Sequence, residues 1–156
     1  GPQSTSTGYM RYKTFLRSCK RFGLTLDRER VVNARDYTEA AGERAFSRIL
    51  ERTRDFTAVL AANDLLALGC YDGIRARSLR CPDDISVTGF NDMPFVDRFD
   101  PPLTTLHIPL DELGIQAALL LLERINQPDA PVKQLRLEPR IVVRGSTAPP
   151  RPRAVD

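Results

Sequence analysis

The chain has 156 residues, of which 42% are hydrophobic and 28% charged, enough apolar material for the core of one domain and too much for a disordered chain. Its 23 basic and 20 acidic side chains leave a net charge of +3. The signs are interspersed, as in DRER and GERAFSRILERTRD, so charge alone marks solvated helix faces and not a nucleic-acid surface.

Apolar side chains at Tyr12, Phe15, Leu16 and Cys19 fall at i, i+3, i+4 and i+7. That spacing predicts a helix from Gly8 to Phe22, with Thr7 as N-cap, Lys20 and Arg21 in the last turn and Gly23 in the left-handed position beyond. VVNARDY (31–37) reads as a short strand, and Thr38 caps a second helix lined by Ala41, Ala45, Phe46, Ile49 and Leu50. TAVLAAN (57–63) is an apolar run too short for a helix, which fits a parallel strand buried on both faces. A third helix runs to about Arg77, closed by the turn CPDD, and ISVTGF (85–90) is the next buried strand. LTTLHI (103–108) is extended, Pro109 opens a helix to about Ile125, and QLRLEP and RIVVRGS read as strands. The tail, residues 149–156, reads as disordered. Strands alternating with helices predict an α/β fold with a parallel sheet flanked by helices. A sheet that opens on a helix implies a first strand upstream of residue 1; Gly1-Pro2 reads equally as native sequence or as the remnant of a tag.

In such sheets, ligands bind beyond the carboxyl ends of the strands. Asn63-Asp64 and Asn91-Asp92 each place an amide beside a carboxylate at such an end. Asp64 reads as the N-cap of the third helix, while Asn63, able to donate and accept, faces the cleft and suits a hydroxyl-rich ligand. Tyr37 offers a stacking face, Thr5 and Thr7 offer hydroxyls, and Arg11 a fork of donors one turn into the first helix. Enzyme readings lack a frame. His107 is the single histidine and no partner for it is marked, there is neither G-x-S-x-G nor a P-loop lysine, and the acidic pairs lie in turns. Nothing calls for a metal or cofactor. Cys19, Cys70 and Cys81 fit neither a disulfide framework nor a zinc site, which points to a reduced compartment. No apolar stretch approaches a membrane span, and GPQSTSTG does not resemble a signal peptide.

FTAVLAANDLLALG, CPDDISVTGFNDMP, PPLTTLHIPLDELGIQAALLLLERI and PRIVVRGSTAP, in this order and spacing, resemble the effector-binding core of the lactose/galactose repressor (LacI/GalR) family. The match runs from Gly1 to about Pro150. The resemblance implies a type I periplasmic-binding-protein fold, two α/β subdomains closing on an effector, of which this chain holds mostly the C-terminal one. Residues 1–102 would belong to the C-terminal subdomain, 103–126 would cross into the N-terminal subdomain, and 127–148 would return. The implied effector contacts are Arg11, Tyr37, Asn63 and Asn91, with Thr5 and Thr7 secondary. Two departures stand out: Asn91 where the family usually has Asp, and Ile108 where members often have Gln. The implied function is sugar or polyol sensing in a cytoplasmic bacterial transcription regulator. That regulator would bind operator DNA only through an N-terminal helix-turn-helix absent from this chain. The implied homodimer would form through the helix of residues 109–125, which is apolar nearly all round. A periplasmic sugar-binding protein of a transporter is the alternative.

Overall fold

Four helices and four short strands make up residues 1–150, the part described by the computed structural model: α1 (Ser6–Arg21), α2 (Glu39–Arg52), β1 (Ala58–Leu60), α3 (Asp64–Arg75), β2 (Ser86–Thr88), β3 (Thr105–His107), α4 (Leu110–Asn126) and β4 (Arg140–Val142). β1 and β2 pair in parallel, with Val59 opposite Val87; β3 and β4 pair antiparallel, with Leu106 opposite Ile141. Parallel bridges between Thr88 and Thr104 and between Asn91 and His107 carry the first pair into the second. The result is the expected α/β layering. The core is a single cluster in which Phe46, Ala67, Ile74, Val87 and Leu103 are all but sealed.

Helix starts follow local capping chemistry. Thr5, not Thr7, caps α1: its hydroxyl accepts from Gly8 N at 3.1 Å, and Thr7 stays exposed. Thr38 caps α2 as expected, through Ala41 N. Gly23 takes φ +68° beyond α1, where Lys20 and Arg21 complete the last turn, the left-handed exit that glycine allows.

Three expected strands differ. Residues 31–37 form no ladder, because no strand among the described residues lies alongside; Val31 O is met by the Arg52 guanidinium instead. Residues 134–139 are likewise unpaired, and nearly all are exposed. β1 is not covered on both faces: Ala58 is exposed and Leu60 is 60% exposed. The prediction of a disordered tail falls, for residues 151–156, outside the described residues.

α2 and α3 pack at backbone distance. A Cβ added at Gly69 would stand 1.9 Å from Glu39 O and 2.5 Å from Glu43 N, both backbone atoms of α2. Gly69→Ala must therefore push the helices apart. We expect it to lower stability by about 2 kcal/mol, overriding the roughly 1 kcal/mol that alanine contributes to helix propensity. A urea midpoint equal to or above that of the parent would reject this packing.

α4 departs most from expectation. No residue in it is buried, and Leu113, Ile115, Leu119, Leu121, Leu122 and Ile125 are all more than half exposed. Its sequence, apolar nearly all round, asks for covering surface, but the chain leaves the α2–α3 layer at β3 and that surface is not supplied among the described residues. No helix is long and apolar enough to cross a membrane among the described residues.

Candidate functional site

The carboxyl ends of β1 and β2 open onto one rim. Arg11 reaches it from α1: its guanidinium donates to Ala62 O at 2.5 Å and lies 3.8 Å from the centroid of the Phe90 ring. It thus touches the residues that immediately precede Asn63 and Asn91. Asn63 binds the Tyr37 carbonyl through Nδ2 at 3.3 Å. The fold therefore brings Arg11, Tyr37, Asn63 and Asn91 to adjoining chain ends. Thr5 is spent on its cap and on Pro2 O, and the Thr7 side chain has no hydrogen bond among the described residues. The Tyr37 hydroxyl is buried and has no partner among the described residues.

The expected cap is displaced by one residue, from Asp64 to Asn63. Asn63 is the N-cap of α3: its Oδ1 accepts from Leu66 N at 2.9 Å. With Nδ2 on Tyr37, one donor and one lone pair remain of its four hydrogen-bonding positions. Its side chain positions the rim more than it reaches from it. Asp64 lies one residue inside the helix and is completely buried. Oδ1 accepts from the Thr105 hydroxyl at 2.6 Å and Oδ2 from Met93 N at 2.8 Å. One carboxylate thereby ties α3, the loop after β2 and the start of β3. The close approach requires Gly89, where an added Cβ would stand 2.2 Å from Asp64 Oδ1.

A second stitch uses the RGST stretch. Ser146 is fully buried; its hydroxyl donates to Val87 O at 2.6 Å and accepts from Thr104 N at 2.7 Å. Arg144 donates to Leu103 O and, at 2.8 Å, to Asp92 Oδ1. The other oxygen of Asp92 meets His107 Nδ1 at 3.0 Å. Here is the partner of His107 that nothing in the sequence marked: it sits 15 residues away and is brought over by the parallel bridge at Asn91. The loop itself is strained, with Asn91, Asp92 and Phe95 at φ 121°, 58° and 75°, a backbone region costly for residues with a side chain. The Asp92 cluster and Asp64 hold it in place.

Burial pushes the Asp92 carboxyl up, but the hydrogen bonds from Arg144 and His107 outweigh it and hold the group below its ordinary value of 3.8. A carboxyl depressed in the folded state adds stability above its unfolded pKa, and that stability is lost as pH falls through the folded value. We therefore expect the urea midpoint of the parent to fall more steeply below about pH 4 than that of Asp92→Asn. Parallel curves for the two proteins would show that the cluster carries no such linkage.

A cleft of about 840 Å3 opens beside β1 and reaches Ala62 and Phe90 at the rim; of the six expected contact residues only Arg11 lines it. No group of three or more histidine, cysteine or acidic residues is placed to hold a metal ion among the described residues.

The chain is similar to known proteins over most of its length. The profile of the periplasmic binding protein-like domain matches residues 1–147. The regulator MalR of Streptomyces coelicolor is 43% identical over 112 residues, which is 72% of this chain and 32% of MalR. The repressor CytR of Escherichia coli is 29% identical over 147 residues, 94% of this chain and 43% of CytR. Among solved structures, the CelR–cellobiose complex superposes with a TM-score of 0.86 at 32% identity, over 94% of this chain and 44% of that one. A LacI-family regulator from Enterococcus faecium with bound ribose gives 0.83 at 29% identity, over 95% and 55%. The chain spans less than half the length of the curated relatives it matches. From the profile and the relatives, the chain belongs to the periplasmic binding protein-like domain family, in the form carried by LacI-type regulators.

Proposed function

We propose that the chain is most of the C-terminal half of an effector-binding domain, taking a sugar or similar hydroxyl-rich molecule in a bacterial, cytoplasmic LacI-type regulator. The observation that carries this reading is the position of Arg11. Its guanidinium, fixed against Phe90 and Ala62 O, stands where β1 and β2 end and keeps further N–H donors for a ring hydroxyl or carboxylate. Asn91 is the other group that answers such a ligand in this reading, with the Tyr37 ring beside it; Asn63 acts through its cap and Thr5 and Thr7 stay secondary. Asn91, uncharged, both donates and accepts, which favours a hydroxyl over a ligand needing a pure acceptor. Ile108 offers no polar contact from across the cleft. CelR with cellobiose and the ribose-bound regulator favour sugars and a regulator over the transport receptor. Effector binding would control operator DNA indirectly, by setting how two subdomains close. A thermal-shift screen of sugars, polyols and purines on the longer protein tests this, and no stabilisation by any sugar or polyol counts against it.

Residues 1–102 and the strand from Arg140 form one subdomain in this reading, and α4 belongs to the excursion. Pairing of β3 with β4, together with the unpaired stretch before Arg140, draws the excursion out to about residue 139. Exposed leucines on α4 make it the surface on which two copies meet. Leu119→Arg or Leu122→Asp is expected to yield a folded monomer by sedimentation, with a far-UV spectrum like the parent's. A dimer of unchanged mass would place the interface elsewhere.

A further inference from the structure

The rim carries a positive charge that the chain leaves unanswered. Arg11 is half-buried, and its partners among the described residues, the Ala62 carbonyl and the Phe90 ring, are both neutral. The carboxylates at the adjoining chain ends are engaged elsewhere. Asp64 is sealed against the Thr105 hydroxyl and Met93 N. Asp92 gives one oxygen to Arg144 and the other to His107. Asp36 accepts from the backbone and the hydroxyl of Thr38, and Glu39 turns to Asp72 of α3. At the position where the family usually carries one more carboxylate, this chain has Asn91, whose amide is uncharged. The α1 dipole adds to the imbalance. A Cβ placed on Gly1 would stand 2.8 Å from both the Ala62 methyl and the Tyr37 ring, so the chain enters α1 from this rim. The first turn of α1 holds no acidic residue, and no carboxylate of its own opposes the positive end of the helix.

From this balance of charge we infer that the effector is a sugar acid, a hydroxyl-rich molecule carrying one carboxylate, and not a neutral sugar. The inference rests on the reading of this rim as the effector site and adds the charge of the ligand to it. Arg11 donates to Ala62 O through Nη1, which leaves Nε and Nη2 side by side. That pair of parallel donors matches the two oxygens of a planar carboxylate. Asn91 can donate to the same carboxylate through its amide, whereas an aspartate there could only accept and would repel it. One guanidinium answers one negative charge. A phosphate monoester, at about −1.5 to −2 near neutral pH, exceeds what Arg11 alone neutralises.

Calorimetry on the longer protein with matched ligands tests it: glucuronate against glucose, galacturonate against galactose, gluconate against glucitol, with glucose-6-phosphate as the phosphate arm. At least one acid is expected to bind about tenfold or more tightly than its neutral counterpart, because charge-assisted hydrogen bonds are about twice as strong as neutral ones. Asn91→Asp, which restores the carboxylate usual in the family, is expected to erase most of that preference. A preference unchanged in Asn91→Asp overturns the inference. So does a neutral sugar that binds as tightly as its acid in every pair, or glucose-6-phosphate binding more tightly than each carboxylate. If none of the acids binds while the thermal-shift screen selects a neutral sugar, the inference fails alone. If no sugar of either kind stabilises the protein, the effector reading fails with it.

Discussion

Replacing Asp64 by alanine is expected to cost about 4 kcal/mol of stability. The side chain is fully buried and holds two donors, the Thr105 hydroxyl and Met93 N. A hydrogen bond to a charged acceptor contributes about 1.5–3 kcal/mol, and each donor left buried and unanswered adds a desolvation penalty. The carboxylate also sits in the first turn of α3, where the helix dipole favours negative charge. Asp64→Asn should recover only part of the loss, because one oxygen becomes a donor facing another donor. Thr105→Val removes one partner cleanly, so a double-mutant cycle between the two positions should give a coupling of about 1 kcal/mol or more. A loss below about 1 kcal/mol for Asp64→Ala in urea unfolding would show that the three chain ends are held by something else.

Arg11→Ala is expected to weaken effector binding in the longer protein at least tenfold while shifting the urea midpoint little. Arg11 is half-buried, and the loss of one buried polar contact costs about 1–3 kcal/mol, which reaches a factor of ten near 1.4 kcal/mol. Arg11→Lys should rescue poorly. An ammonium neither stacks on the Phe90 face as a guanidinium plane does nor presents two parallel donors. Calorimetry with the sugar selected by the thermal-shift screen decides the matter: affinity within about twofold of the parent for Arg11→Ala removes this residue from the site. A weakened affinity with a collapsed urea midpoint would instead make its bond to Ala62 O structural.

The motifs that announced the family turn out to hold the rim together more than to line it. Asp64 of the first motif reaches Thr105 of the third, and Asp92 of the second reaches Arg144 of the last. Ser146 of that last motif spans Val87 and Thr104. Each pairing joins residues 41 to 59 positions apart. Periodicity and capping rules read only neighbours a few residues away, so these partners were invisible until the chain closed on itself.

Local chemistry was legible in the sequence alone. The helical spacing of α1 to α4, the Thr38 cap, the Gly23 exit and the α/β alternation all depend on groups within one or two turns of each other, and all are present. The arrival of polar groups at the ends of β1 and β2 was legible too, since strand ends in a parallel sheet share one rim. Tertiary structure decided the rest. Whether Asn63 or Asp64 capped α3 depended on the Asp64 carboxylate finding Thr105 and Met93, contacts made across the sheet. Whether 31–37 formed a strand depended on a neighbour, because a ladder needs two chains and a propensity needs only one. Whether α4 was buried depended on where β3 sends the chain: an apolar helix states what it requires, contact with apolar surface, and the fold alone determines which surface answers.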